Sequence, residues 1–176
     1  MDNFEEYIRQ GEATKAEKAK VWKMAIGLQQ VDGLKPSEYL ISTAKKNIEG
    51  DITIEEVQQL IKSYYQSKTI RTNDSDDTEE ADKVSANITK LLSERTFAFT
   101  VAGFMAVHRR IFEGVFKFAG IIRDYNITKK EWVLLGATVL YVSATDLRKA
   151  IEYDIEQETQ FNYAGLSMER VGNHIP

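Results

Sequence analysis

Pro36 and Pro176 are the only prolines in the chain, so no residue between them forbids a helix outright. Helices must then end at glycines and polar turns, and the apolar residues recur at helical spacing. The first clear stripe runs from about Lys15 to Gln29, with Val21, Trp22, Ala25 and Leu28 on one face and the turn residues Asp32-Gly33 behind it. A second helix starts at Ser37, just after Pro36, and carries Tyr39, Leu40, Thr43 and Ala44. Gly50 stands where a left-handed C-terminal cap is expected. Thr53 and Glu56 then form a capping box ahead of Val57, Leu60, Ile61 and Tyr64.

Residues 69–80 are polar and acidic and predict a surface loop. A helix over about Thr78 to Ser93 follows, with Val84, Ile88, Leu91 and Leu92 inward. Another begins near Thr100 and carries Val101, Phe104, Met105, Ile111 and Phe112. From Ile121 to Val142 the period changes. The segment is rich in Tyr, Ile, Trp, Val and Leu, with Gly136 as a turn residue, and it predicts an inserted β-hairpin. Ser143 with Asp146 opens a helix to about Glu158, and Ser167 caps one more. The expected fold class is mainly α with one hairpin.

Apolar residues make up 43% of the sequence and charged residues 28%, the balance of a globular domain with a real core. A net charge of −4 argues against sequence-independent nucleic-acid binding, which needs a basic surplus. With no cysteine, disulfides, thiolate metal sites and thiol nucleophiles are excluded. Two histidines, His108 and His174, are too few for a histidine-built metal site. The acidic start and the lack of a long apolar run predict no signal peptide, no membrane partner and a cytoplasmic chain.

Little of the sequence carries recognisable chemistry when it is read residue by residue. It has no Walker loop, no dinucleotide fingerprint and no nucleophile elbow. Asp154, Glu156 and Glu158 have the spacing of a solvated helix face. His108, beside Arg109-Arg110, is expected to be a packed, hydrogen-bonded histidine. His174 has no neighbours suited to a catalytic base. The segment Phe116-Lys-Phe-Ala-Gly-Ile-Ile-Arg123 is a helix-to-hairpin corner, with Gly120 for a tight turn and Arg123 placed to reach carbonyls or carboxylates.

His108-Arg-Arg-Ile-Phe112 followed by Phe118-Ala119-Gly120-Ile-Ile-Arg123 resembles the part of Fic-domain proteins that leads into their flap hairpin. Asn126, Ile127, Thr128, Lys129 and Lys130 resemble the approach to that flap, where the family aligns a target segment beside the nucleotide. Leu166-Ser-Met-Glu169 resembles the start of the helix before the family's active-site loop. The likeness covers about Ala81 to Glu169. It implies a Fic-like helical domain over 81–176, an acidic loop at 69–80 and an antitoxin-like helical region over 1–68.

The antitoxin-like region resembles the family's inhibitory motif, Ser or Thr, three residues, then Glu and Gly or Asn, at two places. Leu28-Gln-Gln-Val-Asp32-Gly33 has Leu for Ser and Asp for Glu. Lys45-Lys-Asn-Ile-Glu49-Gly50 keeps the glutamate but has Lys45 for Ser. Helix-end chemistry is an equal reading at both glycines.

The family's catalytic loop reads about His-x-Phe-x-Asp/Glu-Gly-Asn-x-Arg, and this sequence contains no such segment. The resemblance implies a protein adenylyltransferase using ATP and magnesium, with this chain expected to be an inactive front portion that holds no cofactor itself. The alternatives are a non-catalytic binding module, docking a peptide or restraining a Fic partner, and a plain helical interaction domain. Apolar surface left uncovered on Phe104, Phe112 and the hairpin predicts self-association.

Overall fold

The computed structural model describes residues 4–67, 73–94, 97–130, 138–167 and 170–171. They contain α1 (Glu5–Gln10), α2 (Ala13–Val31), α3 (Glu38–Glu49), α4 (Ile54–Ser67), α5 (Asn73–Glu94), α6 (Val101–Phe112), β1 (Thr128–Lys130), β2 (Thr138–Leu140) and α7 (Leu147–Gln160). The fold is mainly helical, as the spacing requires. No helix among the described residues is long and apolar enough to cross a membrane.

The chain divides into two compact units. The first holds residues 1–97 and 105–121 and is built on α2, with α1, α3 and α5 against it and α4 against α3 and α5. Every buried apolar residue of the described chain belongs to it, from Phe4 to Ile88. Trp22 anchors the core. It is fully buried and donates its Nε1–H to Asn47 Oδ1 at 3.0 Å, which lets a large ring go inside without an orphaned donor. Asn47 in turn donates to the Ile52 carbonyl at 2.9 Å, closing the turn from α3 into α4.

The helix ends follow their sequence signals closely. Ser37 caps α3, its hydroxyl accepting from the Leu40 amide at 3.0 Å. The capping box forms in full: the Glu56 amide donates to Thr53 Oγ1 at 3.2 Å, and the Thr53 amide to Glu56 Oε2 at 2.7 Å.

Two features depart from the sequence reading. The short α1 carries no apolar stripe long enough to announce it, and it is fixed by contacts made elsewhere in the unit. The acidic stretch expected as a loop over 69–80 is helical from Asn73 onward. Its carboxylates occupy the first turns of α5, where the positive end of the helix dipole favours them, so acidic composition there signals a helix start. Residues 69–72 lie outside the described residues.

The second unit holds residues 98–104 and 122–176. Its strands pair antiparallel, Thr128 with Leu140, Lys129 with Val139 and Lys130 with Thr138. This ladder is narrower than the hairpin expected over Ile121 to Val142, and its turn residue Gly136 lies outside the described residues. Helix α7 begins at Leu147. Ser143 accepts from the Asp146 amide at 3.2 Å and donates to Asp146 Oδ2 at 2.6 Å. Among the described residues of this unit, none is buried.

Candidate functional site

The two glycine-ended motifs of the first unit lie at helix ends. Asp32 is the residue after α2, and its amide donates to the Gln29 and Gln30 carbonyls. Gly33 (φ 80°) then donates to Gln30 O at 3.0 Å and Leu34 to Gln29 O at 3.0 Å, the paired bonds of a left-handed helix stop. Gly50 (φ 91°) ends α3 in the same way, with the Gly50 and Asp51 amides on the Lys46 carbonyl. Both sites provide helix-end chemistry.

The carboxylates before the two glycines differ in surroundings. Asp32 is exposed and lies near Glu80, whose carboxyl is pushed up by burial and by the charges of Asp77 and Asp32. Glu49 is tied within its own unit. It accepts from Lys15 Nζ at 2.5 Å and from the Tyr7 hydroxyl, and the hydrogen bond from Lys15 above all holds it below the usual range. Sequence reasoning missed these partners because they come from α1 and α2, more than thirty positions earlier.

A second arrangement was not anticipated from the sequence. Asp82 is fully buried in α5, yet it accepts from the Ser37 amide at 2.8 Å, the Ser37 hydroxyl at 2.5 Å and the Tyr65 hydroxyl at 2.7 Å. One carboxylate thereby ties the start of α3, the end of α4 and the middle of α5. Burial, then the hydrogen bond to Asp82, raises the Tyr65 hydroxyl well above its ordinary value of 10.0. The sequence does hold a signal for this. Asp82 stands in register with Ser85, Ala86 and Thr89 on a face otherwise free of charge, where an acid needs buried donors.

Two grooves open on this unit, and the larger of them is already furnished with internal contacts. One, of about 560 Å³, is lined by Gln58, Lys62, Gln66, Glu79, Lys83 and Asn87. Lys83 pairs with Glu79 and donates to the Gly114 carbonyl, and Asn87 donates to the carbonyls of Ile111 and Glu113. These donors satisfy the carboxyl end of α6. The other, of about 380 Å³, lies beside the α3–α4 turn around Gly50.

The corner Ala119-Gly120 is built around His108. The Gly120 amide donates to His108 Nδ1 at 2.8 Å, so the imidazole presents a lone pair there and carries its proton on Nε2. Gly120 is required twice over. Its φ is 73°, and a Cβ would stand 2.6 Å from the Arg109 Cβ. His108 also tilts against Phe112, with ring centroids 5.0 Å apart. It is a packed, bonded histidine of the kind its neighbours suggested. His174 lies outside the described residues.

In the second unit, Arg123 and Asn126 converge on the strand ladder from its open end. Arg123 donates through Nη1 to the Tyr125 carbonyl at 2.6 Å and through Nη2 to the Val142 carbonyl. Asn126 Oδ1 accepts the Ala144 amide at 2.8 Å. The two chain arms are thus cross-linked just outside β1 and β2. Ile127 and Thr128 are exposed, and Lys129 and Lys130 complete β1. On α7, Asp154 and Glu156 are exposed, whereas Glu158 is half-buried and accepts from the Tyr163 hydroxyl. The expectation of one solvated acidic face therefore fails at Glu158, which an aromatic hydroxyl nearby draws inward.

No group of three histidine, aspartate or glutamate side chains among the described residues converges to hold a metal ion. No family model matches the chain, and the searches of curated proteins and of solved structures return no significant match.

Proposed function

We propose that this chain is a Fic-type docking module, in which the β1–β2 ribbon holds an extended segment of a partner protein and no AMP is transferred by these residues. The observation that carries the reading is the clasp at the ribbon's open end. Arg123 and Asn126, both singled out by the resemblance, bond across to Val142 and Ala144. A two-stranded ribbon is marginal alone in water, and such cross-links hold it in shape before a partner arrives. An added strand pairs by its main chain, and side chains at alternate positions select its sequence. β1 carries two lysines, Lys129 and Lys130, so the segment paired with it is acidic.

The resemblance supports the adenylyltransferase kinship, and the missing His-x-Phe-x-Asp/Glu-Gly-Asn-x-Arg segment supports the lack of transfer. Random peptides displayed on phage provide the test, panned against the whole chain. Acidic extended sequences should be enriched, bind as synthetic peptides with micromolar Kd and shift the amide signals of Asn126 to Lys130 by NMR. Radiolabelled ATP with magnesium should leave protein and peptides unlabelled. Enriched peptides that leave those amides unmoved, no enrichment at all, or AMP incorporation would each overturn the proposal.

A further inference from the structure

The outer edge of β2 faces away from β1, and it has a different chemistry from the edge assigned above. The run from Trp132 to Thr145 contains no charged residue and no proline, and within it Thr138-Val-Leu-Tyr-Val142 is made wholly of β-branched and large side chains. Leu140 is 80% exposed, and Tyr141 and Val142 are 41% and 46% exposed. Edge strands are normally blunted by charge, proline or a bulge, and β2 carries neither of the first two. Val142 bonds through its carbonyl, and Ala144 through its amide, to groups on the side of β1. Main-chain direction alternates along a strand, so Val139 turns its N–H and C=O to the outer edge.

We infer that β2 pairs antiparallel with β2 of a second copy of this chain, giving a four-stranded sheet in the order β1-β2-β2-β1. Charge selects this pairing among the alternatives. Joining β1 to β1 would set lysines against lysines across the sheet, and like charges placed opposite each other are destabilising. Joining β1 of one copy to β2 of another is heterologous and need not close, whereas β2 against β2 is isologous and stops at two. The exposed apolar side chains of Leu140, Tyr141 and Val142 give the pairing a driving force, because the second copy covers them. A two-fold axis near Leu140 sets this residue against its own counterpart. Both β1 edges stay on the outside of the sheet, so the surface does not depend on the docking reading and leaves that edge free.

Light scattering on the eluting protein at tens of micromolar should give twice the monomer mass of 20.1 kDa. Leu140→Lys should return it to the monomer mass with the same helical circular dichroism, since an 80% exposed side chain carries no core packing. The chain has no cysteine, so Leu140→Cys under mild oxidation should yield a covalent dimer, while Tyr153→Cys on α7, 62% exposed, should not. A wild-type monomer at that concentration overturns the inference. So does a dimer that survives Leu140→Lys and fails to cross-link through Leu140→Cys, because it then uses another surface.

Discussion

The Gly120 amide and His108 Nδ1 meet at 2.8 Å across twelve positions of chain, and that bond fixes the turn by which the chain leaves α6. His108→Ala strands a partly buried amide and should cost about 1–3 kcal/mol in urea unfolding. Gly120→Ala should cost a similar amount through its φ of 73° and the crowding by Arg109. If either variant unfolds at the wild-type midpoint, the bond does not secure the corner.

Asp82 predicts the largest loss in the molecule. Asp82→Ala leaves the Ser37 amide, the Ser37 hydroxyl and the Tyr65 hydroxyl without their acceptor. About 3–5 kcal/mol should be lost, as when one partner of a buried polar set is removed. Tyr65→Phe should cost about 1 kcal/mol, and its effect should largely vanish in the Asp82→Ala background. Additive losses in a double-mutant cycle would show that the two act separately.

Alkaline pH should expose the same contact. The folded protein holds the Tyr65 proton more tightly than the unfolded chain does. Its contribution to stability is therefore complete below the unfolded value near 10 and is lost as pH climbs beyond it. Urea midpoints taken from pH 8 to 11 should fall less steeply in Tyr65→Phe than in wild type. Equal slopes would assign the alkaline loss to other groups.

Glu80 carries the opposite sign from the usual surface acid. Its carboxyl is raised in the folded protein, so its contribution is most favourable below 4.5 and is lost as pH rises through the raised value. At neutral pH its charge works against the fold. Glu80→Gln should stabilise the protein by about 0.5 kcal/mol at pH 7, a figure discounted for solvent screening. The gain should shrink below pH 4, and a loss at pH 7 would reverse the reading.

Thr89 offers a test of packing. Its Oγ1 is buried without a hydrogen-bond partner among the described residues, as is Ser85 Oγ. Thr89→Val keeps the shape and removes the unpaired hydroxyl, and it should raise stability by about 1 kcal/mol. A destabilised variant would indicate that the hydroxyl is bonded in solution.

What could be read in advance was mostly local. Ser37, Thr53 with Glu56, and Gly50 mark helix ends through bonds that reach three or four residues, so their roles are legible in a short window of sequence. The partners of Asp82 and Glu49 come from distant helices, and nothing in their own neighbourhoods announces them. Acidic composition misled at Asp76 and Asp77, because the same residues suit a solvated loop and the first turns of a helix. At the ribbon, β-branched and aromatic composition indicated strands but not their extent. The clasp by Arg123 and Asn126 depends on how the two arms meet, which no window of one arm contains.

Among the described residues every buried apolar side chain falls between Phe4 and Ile88, a fact about position along the chain as much as about packing. A ribosome makes the chain from its amino end, so all these residues have been synthesised before the ribbon's first residue is added. The helical core can gather while the rest is still being translated, in step with the tendency of amino-terminal units to fold first. The uncharged stretch from Trp132 to Thr145 is then synthesised later than the core's apolar residues, when fewer of them remain exposed to capture it.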